Sequence, residues 1–403
     1  MVESLFFSSK KDSFKTSAQL IADSAEKKYV ENKLNNIDGE ITCESGTKLS
    51  KEDYVSCKIT FDNEENAKVN IMGKGKFDGL AVIDGTKMSS EIVELELPEY
   101  GLMKTYIENL YNNETLRKAN NLKKDNTPDK NIRYYGNDPN NYVRFNNELW
   151  RIIGVFGNNV KLIRSESLGK LSWDSSYPSV NSGFGINQWG ESTYEDGSYY
   201  EGADLMQYLN KLYYGGTDVT CYEEGNHKTT TCPTNKLDST SKALIDNYTW
   251  NLGGVISASD TVAVYNEERG NVTGKICTDG HLCNDTVVRT TFWTGYVALP
   301  YVTDWAYASS ESICETNLNA ESSNNFICTN NNWMHKNKSY WTLSIIPWEG
   351  ISDNILVIYV KEDNGGQAGR SHQIFPSIYL KNNVIIESGT GTNTDLYKLQ
   401  IES

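Results

Sequence analysis

The sequence predicts an α+β protein with two unlike modules, antiparallel strands and long loops. Apolar residues recur every three to four positions over residues 13–35, which is the spacing of an amphipathic helix. Over residues 54–61 apolar and polar side chains alternate, as in a strand with one buried face. All nine tryptophans lie at or after Trp150, so the rest of the chain differs in composition. We therefore expect a helix on a small antiparallel sheet, followed by a large α+β domain.

The first module is expected to span residues 1–95, a helix and connector residues 96–133, and the second module residues 134–403. Polar turns separate the predicted elements. In the first module and the connector, the predicted strands are 54–61, 67–72 and 80–82, and the predicted helix is 98–112. In the second module, the predicted strands are 142–145, 149–156 and 160–164, the helices are 203–213 and 242–250, and an antiparallel meander of 355–360, 378–380 and 384–386 ends the chain.

The charge of the chain narrows the range of its partners. It has 53 acidic residues against 38 lysines and arginines, a formal net charge of −15 at pH 7. Such a chain repels phosphate backbones and anionic lipids, so no nucleic-acid partner is expected. No apolar run approaches the roughly 20 residues of a membrane helix, and the first residues carry no secretory signal. We expect membrane contact only through an N-terminal segment absent from this sequence.

Eight cysteines fall into pairs of close neighbours along the chain. Local disulfides are the favoured interpretation, because no Cys-x-x-Cys occurs and the four histidines lie in separate segments. Free buried thiols and a zinc site stay open as alternatives. The expected bridges are Cys43 with Cys57, Cys221 with Cys232, Cys277 with Cys283, and Cys314 with Cys328. They imply an oxidising compartment, so we expect an extracellular protein on a bacterial cell surface.

Sequence motifs of catalysis are missing. Neither a nucleophile elbow, nor a zincin helix, nor a P-loop occurs, so we expect no enzyme and no cofactor. A cell-envelope enzyme built around His372, Arg370 and Glu362 stays an alternative, although a single histidine in a polar loop favours a surface residue. Structural calcium is a second open question, because carboxylates are its usual ligands. The acidic residues considered for it, which equally fit a solvated loop, are Asp174, Glu191, Glu195 and Asp196.

Residues 345–359 are apolar where a loop is expected to be polar. Aliphatic residues and a tryptophan surround a proline and a glycine there, and tryptophan is frequent at binding hot spots. We interpret this segment as a candidate contact surface, with a loop folded back into the core as the alternative. The candidate ligand contacts are Ile345, Ile346, Trp348, Glu349, Asp353, Tyr359, Arg370 and His372. Trp341, in the preceding strand, is expected in the core.

Three runs of the second module resemble a known family. They are DPNNYVRFNNELWRII (138–153), SYWTLS (339–344) and PSIYLK (376–381). These runs are similar to an uncharacterised surface domain of gut Firmicutes and their relatives, which resembles the C-type lectin fold in its formylglycine-generating-enzyme-like branch. The resemblance covers residues 134–403 and implies a lectin-like fold with ligand contacts on loops.

The first module is similar to the globular part of a type IV pilin-like protein. The helix from Ser13 and the runs 41–61 and 68–80 carry this resemblance, which implies other pilin subunits as partners. Together the two resemblances lead us to expect an extracellular pilin-like adhesin, or a pilus-associated surface protein, that binds an unknown surface protein or glycan. A structural filament subunit without a specific ligand stays an alternative.

Overall fold

The computed structural model describes most of the chain. The described residues are 2–37, 41–44, 47, 49–50, 53–73, 77, 79–94, 97–175, 189–193, 199–253, 255, 260–270, 292–318, 321–322, 325–329, 331–334, 339–348, 351–358 and 368–402.

The first module is one helix packed on a four-stranded antiparallel sheet. Helix α1 (Val2–Asn35) precedes four strands, each of which pairs with the next along the chain. The strands are β1 (Tyr54–Phe61), β2 (Ala67–Gly73), β3 (Leu80–Gly85) and β4 (Ile92–Glu94). The predicted order, a helix and then an antiparallel sheet, is confirmed.

Apolar residues, three of them alanines, form the packed face of α1. Phe14, Ala18, Ile21, Ala22 and Ala25 are at most 1% exposed and share one side of the helix. Because alanine is small, the helix backbone comes close to the inward side chains of β2 and β3. The helix begins well before the predicted residue 13, since the apolar spacing that predicts a helix exists only where the helix meets the sheet.

The larger part of the chain consists of strands with short helices between them. Its helices are α2 (Met103–Asn112), α3 (Glu114–Ala119), α4 (Asp204–Gln207) with a π-helical continuation (Tyr208–Tyr214), α5 (Ser239–Leu244), α6 (Thr261–Glu268), α7 (Val302–Ala308) and a 3-10 turn (Ser312–Glu315). Its strands are β5 (Leu122–Lys124), β6 (Ile132–Tyr134), β7 (Tyr142–Phe145), β8 (Glu148–Phe156), β9 (Asn159–Arg164), β10 (Lys170–Ser172), β11 (Ser192–Thr193), β12 (Tyr199–Tyr200), β13 (Cys221–Glu224), β14 (Lys228–Thr230), β15 (Tyr248–Asn251), β16 (Phe292–Gly295), β17 (Val297–Ala298), β18 (Glu321–Ser322), β19 (Asn325–Phe326), β20 (Tyr340–Trp348), β21 (Ile351–Ile358), β22 (Ser371–Gln373), β23 (Ser377–Tyr379), β24 (Val384–Ser388) and β25 (Tyr397–Ile401).

Two sheets organise this larger domain. The first has the order β17-β23-β9-β8-β7-β25-β24, with β6 also pairing with β8, and β5 with β6. Along that order its neighbours are antiparallel except β7 and β25, which are parallel. The second sheet has the order β10-β22-β20-β21. Trp150, Trp173, Trp189, Trp250 and Trp341 are fully buried around these sheets, so tryptophan serves the core of this domain.

Two predicted features of this domain are wrong. Residues 242–250 are not one helix, because α5 ends at Leu244 and β15 then pairs with β16. The end of the chain is not a meander, because β21 pairs with β20, β23 with β9 and β17, and β24 with β25. Pairing between distant segments overrides local pattern in both cases.

The expected connector is part of the larger domain. Helix α2 buries Met103, Ile107 and Leu110 in the same core that contains the sheets, and β5 joins the first sheet through β6. The polar run 120–131 gives little sign of this packing in the sequence, because Leu122 is the residue of that run that joins the hydrophobic core.

Candidate functional site

The candidate contact segment 345–359 contains a β-hairpin where we expected a loop. Strands β20 and β21 pair along it, with Ile345 opposite Ile355. Ile345 is 2% exposed, and its carbonyl accepts a hydrogen bond from the Val255 N–H at 2.7 Å. The expectation of an irregular loop is therefore wrong, and Ile345 belongs to the core.

The remaining candidates in this segment are spread along the hairpin. Ile346 and Trp348 lie on β20, and Asp353 lies on β21. Glu349 and Tyr359 lie outside the described residues. Contact of these residues with a ligand stays a prediction.

The other two candidates, Arg370 and His372, lie at strand β22. Arg370 is exposed just before the strand, whereas His372 within it is 3% exposed and meets the Trp341 ring edge-on at 4.6 Å. The surface position expected for His372 is therefore wrong, and His372 is closed to a surface ligand. Glu362, its supposed catalytic partner, lies outside the described residues. Trp341 is buried, and its indole N–H donates to the Leu171 carbonyl at 2.9 Å, which confirms its core position.

Disulfides are present where the described residues allow the prediction to be checked. The bridges are Cys43–Cys57, Cys221–Cys232 and Cys314–Cys328, and Cys277 and Cys283 lie outside the described residues. For these six residues, free thiols and zinc ligation are excluded. Disulfides persist in oxidising compartments, so the bridges indicate such an environment. Of the helices in the described part of the chain, none combines the length and apolar character that crossing a bilayer requires.

The acidic residues considered for calcium differ in their surroundings. Asp174 is 3% exposed, Glu191 is exposed, and Glu195 and Asp196 lie outside the described residues. Within the part of the chain that the structure describes, no group of three or more His, Cys, Asp or Glu side chains is arranged to hold a metal ion.

Ionised side chains meet at the centre of the larger domain. The Asp304 carboxylate of α7 accepts hydrogen bonds from Lys161 Nζ of β9 and from Arg133 Nη1 of β6, each at 2.6 Å. All three side chains are at most 1% exposed. Burial raises the pKa of the Asp304 carboxyl, but the charges of Lys161 and Arg133 outweigh it and hold that pKa below its usual value.

The charge cluster extends to either side of Asp304. The Asp125 carboxylate accepts from Arg133 Nε at 2.9 Å. On the other side, the Glu268 carboxylate at the end of α6 accepts from the hydroxyls of Thr303 and Ser344, each at 2.5 Å. Burial raises the pKa of Glu268. Two helices, α6 and α7, and three strands, β6, β9 and β20, are thereby linked by hydrogen bonds and ion pairs.

Aromatic rings close this cluster around Lys161. The rings whose centroids lie 4.3–5.7 Å from its ammonium are those of Tyr301, Trp250, Tyr379 and Phe156. Burial lowers the pKa of Lys161 to about 8, against the opposing charge of Asp304. Perturbed charges often mark an active site. Here the charged groups are closed to solvent and neutralise one another, so the cluster acts as a structural ion network.

The small sheet of the first module has a second covered face. Met72 and Ala81 lie on the face away from α1 and pack against Ala119 of α3. Lys58 of β1 lies on that face too, because it pairs with Asn70, two residues before Met72. The sheet is therefore enclosed between α1 and the larger domain.

A cavity of about 320 Å³ lies where β1 meets the larger domain. We call it the junction cavity. One wall comes from the first module and the other from the turns that precede β7 and β25. Its lining residues are Ile41, Thr42, Cys43, Glu44, Tyr54, Cys57, Lys58, Ile59, Asp138, Asn140, Tyr142, Thr392, Asn393 and Thr394.

Lys58 has an unusual environment at the junction cavity. Its ammonium nitrogen is buried, and it has no hydrogen-bond partner among the described residues. Burial lowers the pKa of Lys58 to about 8, the negative charge of Asp138 opposes this shift, and the positive charge of Arg151 adds to it. Burying an ammonium without a partner costs free energy, so a hydrogen-bond acceptor bound beside Lys58 would be stabilising.

The two acidic side chains of the cavity have partners. Asp138 accepts from the Tyr142 hydroxyl at 2.5 Å and from Arg151 Nη2 at 3.3 Å. Glu44 accepts from the Tyr54 hydroxyl at 2.5 Å. Both carboxylates thus accept hydrogen bonds within their own module, whereas Lys58 Nζ finds no acceptor in the described part of the chain.

The turn that precedes β25 is held rigidly. Gly391 has a φ of +76°, and a Cβ there would lie 2.7 Å from the Asn140 carbonyl oxygen, so only glycine fits. The Gly391 carbonyl accepts from the Tyr142 N–H at 2.8 Å, and the Asp395 carboxylate accepts from the Thr390 N–H and hydroxyl. The larger domain therefore presents a preformed wall.

We did not predict the junction cavity from the sequence. Lys58 occupies a polar position of an alternating strand, where exposure to solvent is expected. A signal in the same strand is the neighbouring Cys57, whose bridge to Cys43 marks a stiffened edge. Only the larger domain, which covers that face, makes the lysine unusual.

Comparison of the chain with protein-family models, with curated proteins and with solved structures finds no match. The class defined by the fold is therefore a disulfide-containing α+β protein with an N-terminal helix on an antiparallel sheet. The pilin-like and lectin-like resemblances stay predictions.

Proposed function

We propose that this protein is an extracellular pilin-like surface protein whose larger, lectin-like domain binds a surface protein or a glycan. Side chains on disulfide-closed loops and on the β20–β21 hairpin contact the ligand. The protein presents a binding surface and carries out no reaction.

The disulfides of the larger domain are the observation that carries this proposal. The Cys221–Cys232 bridge closes the β13–β14 hairpin, whose turn exposes Asn226 and His227. The Cys314–Cys328 bridge closes the segment that contains β18 and β19. A loop that is stiff before binding loses little conformational entropy on binding, so such loops suit recognition.

The charge cluster around Asp304 supports binding over catalysis. Its ionisable groups include Lys161 and Asp304, which are closed to solvent and paired with each other. Groups in that position stabilise a scaffold and cannot reach a substrate.

The first module supports the pilin-like part of the proposal. Helix α1 begins at Val2, and Phe14 is the first of its described side chains to be buried. With a rise of 1.5 Å per residue, about 18 Å of helix precedes that residue. We propose that this N-terminal stretch of α1 contacts a partner subunit.

A binding screen with the purified, oxidised chain tests the proposal. Immobilised protein is exposed to a glycan array and to a panel of cell-surface proteins. We expect a ligand whose binding weakens at least about tenfold in Trp348→Ala or Arg370→Ala, as at a binding hot spot. Tyr199→Ala, at an exposed position on β12, is the matched control and should bind normally. A screen without any ligand, or a ligand unaffected by both variants, contradicts the assignment.

A structural filament subunit is the second candidate, favoured by the outer side of α1. Leu20, Val30 and Leu34 are 45%, 48% and 78% exposed on the side away from the sheet. Exposed apolar rows of this kind suit a second helix. Sedimentation velocity over a range of concentrations should then show assembly that Leu34→Glu abolishes and the control Leu97→Glu leaves intact. A monomer at every concentration removes this candidate.

A further inference from the structure

The junction cavity contains none of the residues assigned to the ligand surface of the larger domain. Its walls come from two modules that are distant in sequence, and it holds a buried ammonium that has no hydrogen-bond partner among the residues that the structure describes. A protein tolerates such a group at a cost, since the desolvation of a charge is compensated only by a partner. A ligand is a partner of that kind.

We propose that the junction cavity is a binding site for a small carboxylate ligand, which the Lys58 ammonium recognises. The ammonium offers three N–H donors, and a carboxylate accepts charge-assisted hydrogen bonds more strongly than a neutral oxygen does. The site is independent of the function proposed above, because it uses other residues and another surface.

The charges of the cavity favour a monoanion. Glu44 and Asp138 line the same space as Lys58, and Arg151 already pairs with Asp138. A dianion such as phosphate would meet two carboxylates with a single unpaired ammonium to balance it. A carboxylate matches that ammonium in charge, so it is the chemistry that fits.

The remaining walls suit the polar body of a small molecule. Asn140 and Asn393 supply amide groups, and Thr392 and Thr394 supply hydroxyls. A volume of about 320 Å³ lies at the lower end of ligand pockets, which span about 300–1,000 Å³. A sugar acid and the C-terminal end of a short peptide both have this size and carry the same group.

Binding should depend on pH through Lys58. The groups that face it are the carboxylates of Glu44 and Asp138, the guanidinium of Arg151 and the hydroxyls of Tyr54 and Tyr142. Burial raises the pKa of both tyrosines, so they stay neutral near pH 8. Above pH 8 the free Lys58 amine loses its proton, and a carboxylate must restore it to bind, so affinity falls as pH rises.

Ligand-observed NMR with the full chain tests the proposal. The probes are glucuronate and N-acetylglycine, each paired with its neutral amide, together with inorganic phosphate. We expect at least one acid to bind about tenfold or more tightly than its amide and than phosphate. The amide lacks the charged carboxylate, so its complex loses a charge-assisted hydrogen bond to Lys58. Glucuronate binding points to sugar acids, and N-acetylglycine binding points to peptide ends.

Lys58→Met removes the ammonium and keeps the length of the side chain. We expect it to lose the preference for the acid, while the control Lys68→Met on the neighbouring strand keeps it. Asn393→Trp, which fills the cavity from the other module, provides a second test that leaves Lys58 in place. Absence of binding by both acids, equal binding to Lys58→Met, or tighter binding of phosphate overturns the proposal.

Discussion

Lys58 and Lys161 both have buried ammonium nitrogens, and burial lowers the pKa of each to about 8, yet their surroundings differ. Lys161 donates to Asp304 at 2.6 Å inside a shell of aromatic rings. Lys58 has no hydrogen-bond partner in the described part of the chain and borders a cavity. The first charge is compensated by the fold itself. The Lys58 charge has no such partner in that part of the chain. We therefore assign ligand recognition to Lys58 and a structural role to Lys161.

Removing a charge therefore has opposite consequences in the two regions. In the central cluster, each substitution leaves an opposite charge buried without its partner, which is strongly destabilising. At the junction cavity, Lys58 Nζ donates to none of the described residues, so its substitution takes a hydrogen bond from none of them.

Asp304→Asn should cause the largest loss of stability. Arg133 and Lys161 would then face each other without the carboxylate that separates their charges, so we expect the free energy of unfolding to fall by about 3–5 kcal/mol. Urea unfolding followed by tryptophan fluorescence measures it. Asp138→Asn is the matched control at the junction, where the side chain is 52% exposed and the change should stay below about 1 kcal/mol. Equal losses in the two variants would contradict the contrast.

Replacing a disulfide with two serines should cost about 3 kcal/mol in either region. Cys43–Cys57, beside Lys58, and Cys314–Cys328, in the larger domain, have the same sequence separation of 14 residues. Loop-closure entropy therefore predicts similar losses, measured by unfolding of the two double variants. A bridge whose removal has no effect would show that its loop is already ordered by packing alone.

Lys58→Met and Lys161→Met should change stability in opposite directions. Lys58→Met removes an uncompensated buried charge, so we expect the free energy of unfolding to rise by about 1–2 kcal/mol. Lys161→Met leaves Asp304 with one cationic partner fewer, so the same quantity should fall. Thermal and urea unfolding of both variants decide the matter. A loss of stability in Lys58→Met would show that its ammonium is already compensated.

Stability should rise as pH increases from 8 to about 10. The folded-state pKa of Lys58 lies below the usual value of 10.5, so the unfolded chain binds more protons in this window. One such lysine contributes at most about 1.4 kcal/mol per pH unit, with the effect absent well below pH 8. Lys161 acts in the same direction. The slope should be smaller in Lys58→Met than in the wild type, and identical slopes would refute the lowered pKa.

Local patterns in the sequence predicted much of the fold. The packed side of α1, strands β1 to β3 and strands β7 to β9 follow from side-chain period, and the three described disulfides join cysteines only 11 or 14 residues apart. Such features depend on interactions within about one turn or one hairpin, so the residues that cause them are neighbours in the sequence.

Tertiary structure alone decided the two regions compared above. Arg133 and Lys161 are 171 and 143 residues from Asp304, and no local pattern predicts that they meet. The ammonium of Lys58 is buried because a module of separate sequence covers the strand face that alternation assigns to solvent. Charge and period are properties of the sequence, whereas burial depends on which surfaces come together. For that reason the sequence by itself determined many of the helices, strands and disulfides. The folded chain decided which charges are paired in the core and which border a cavity.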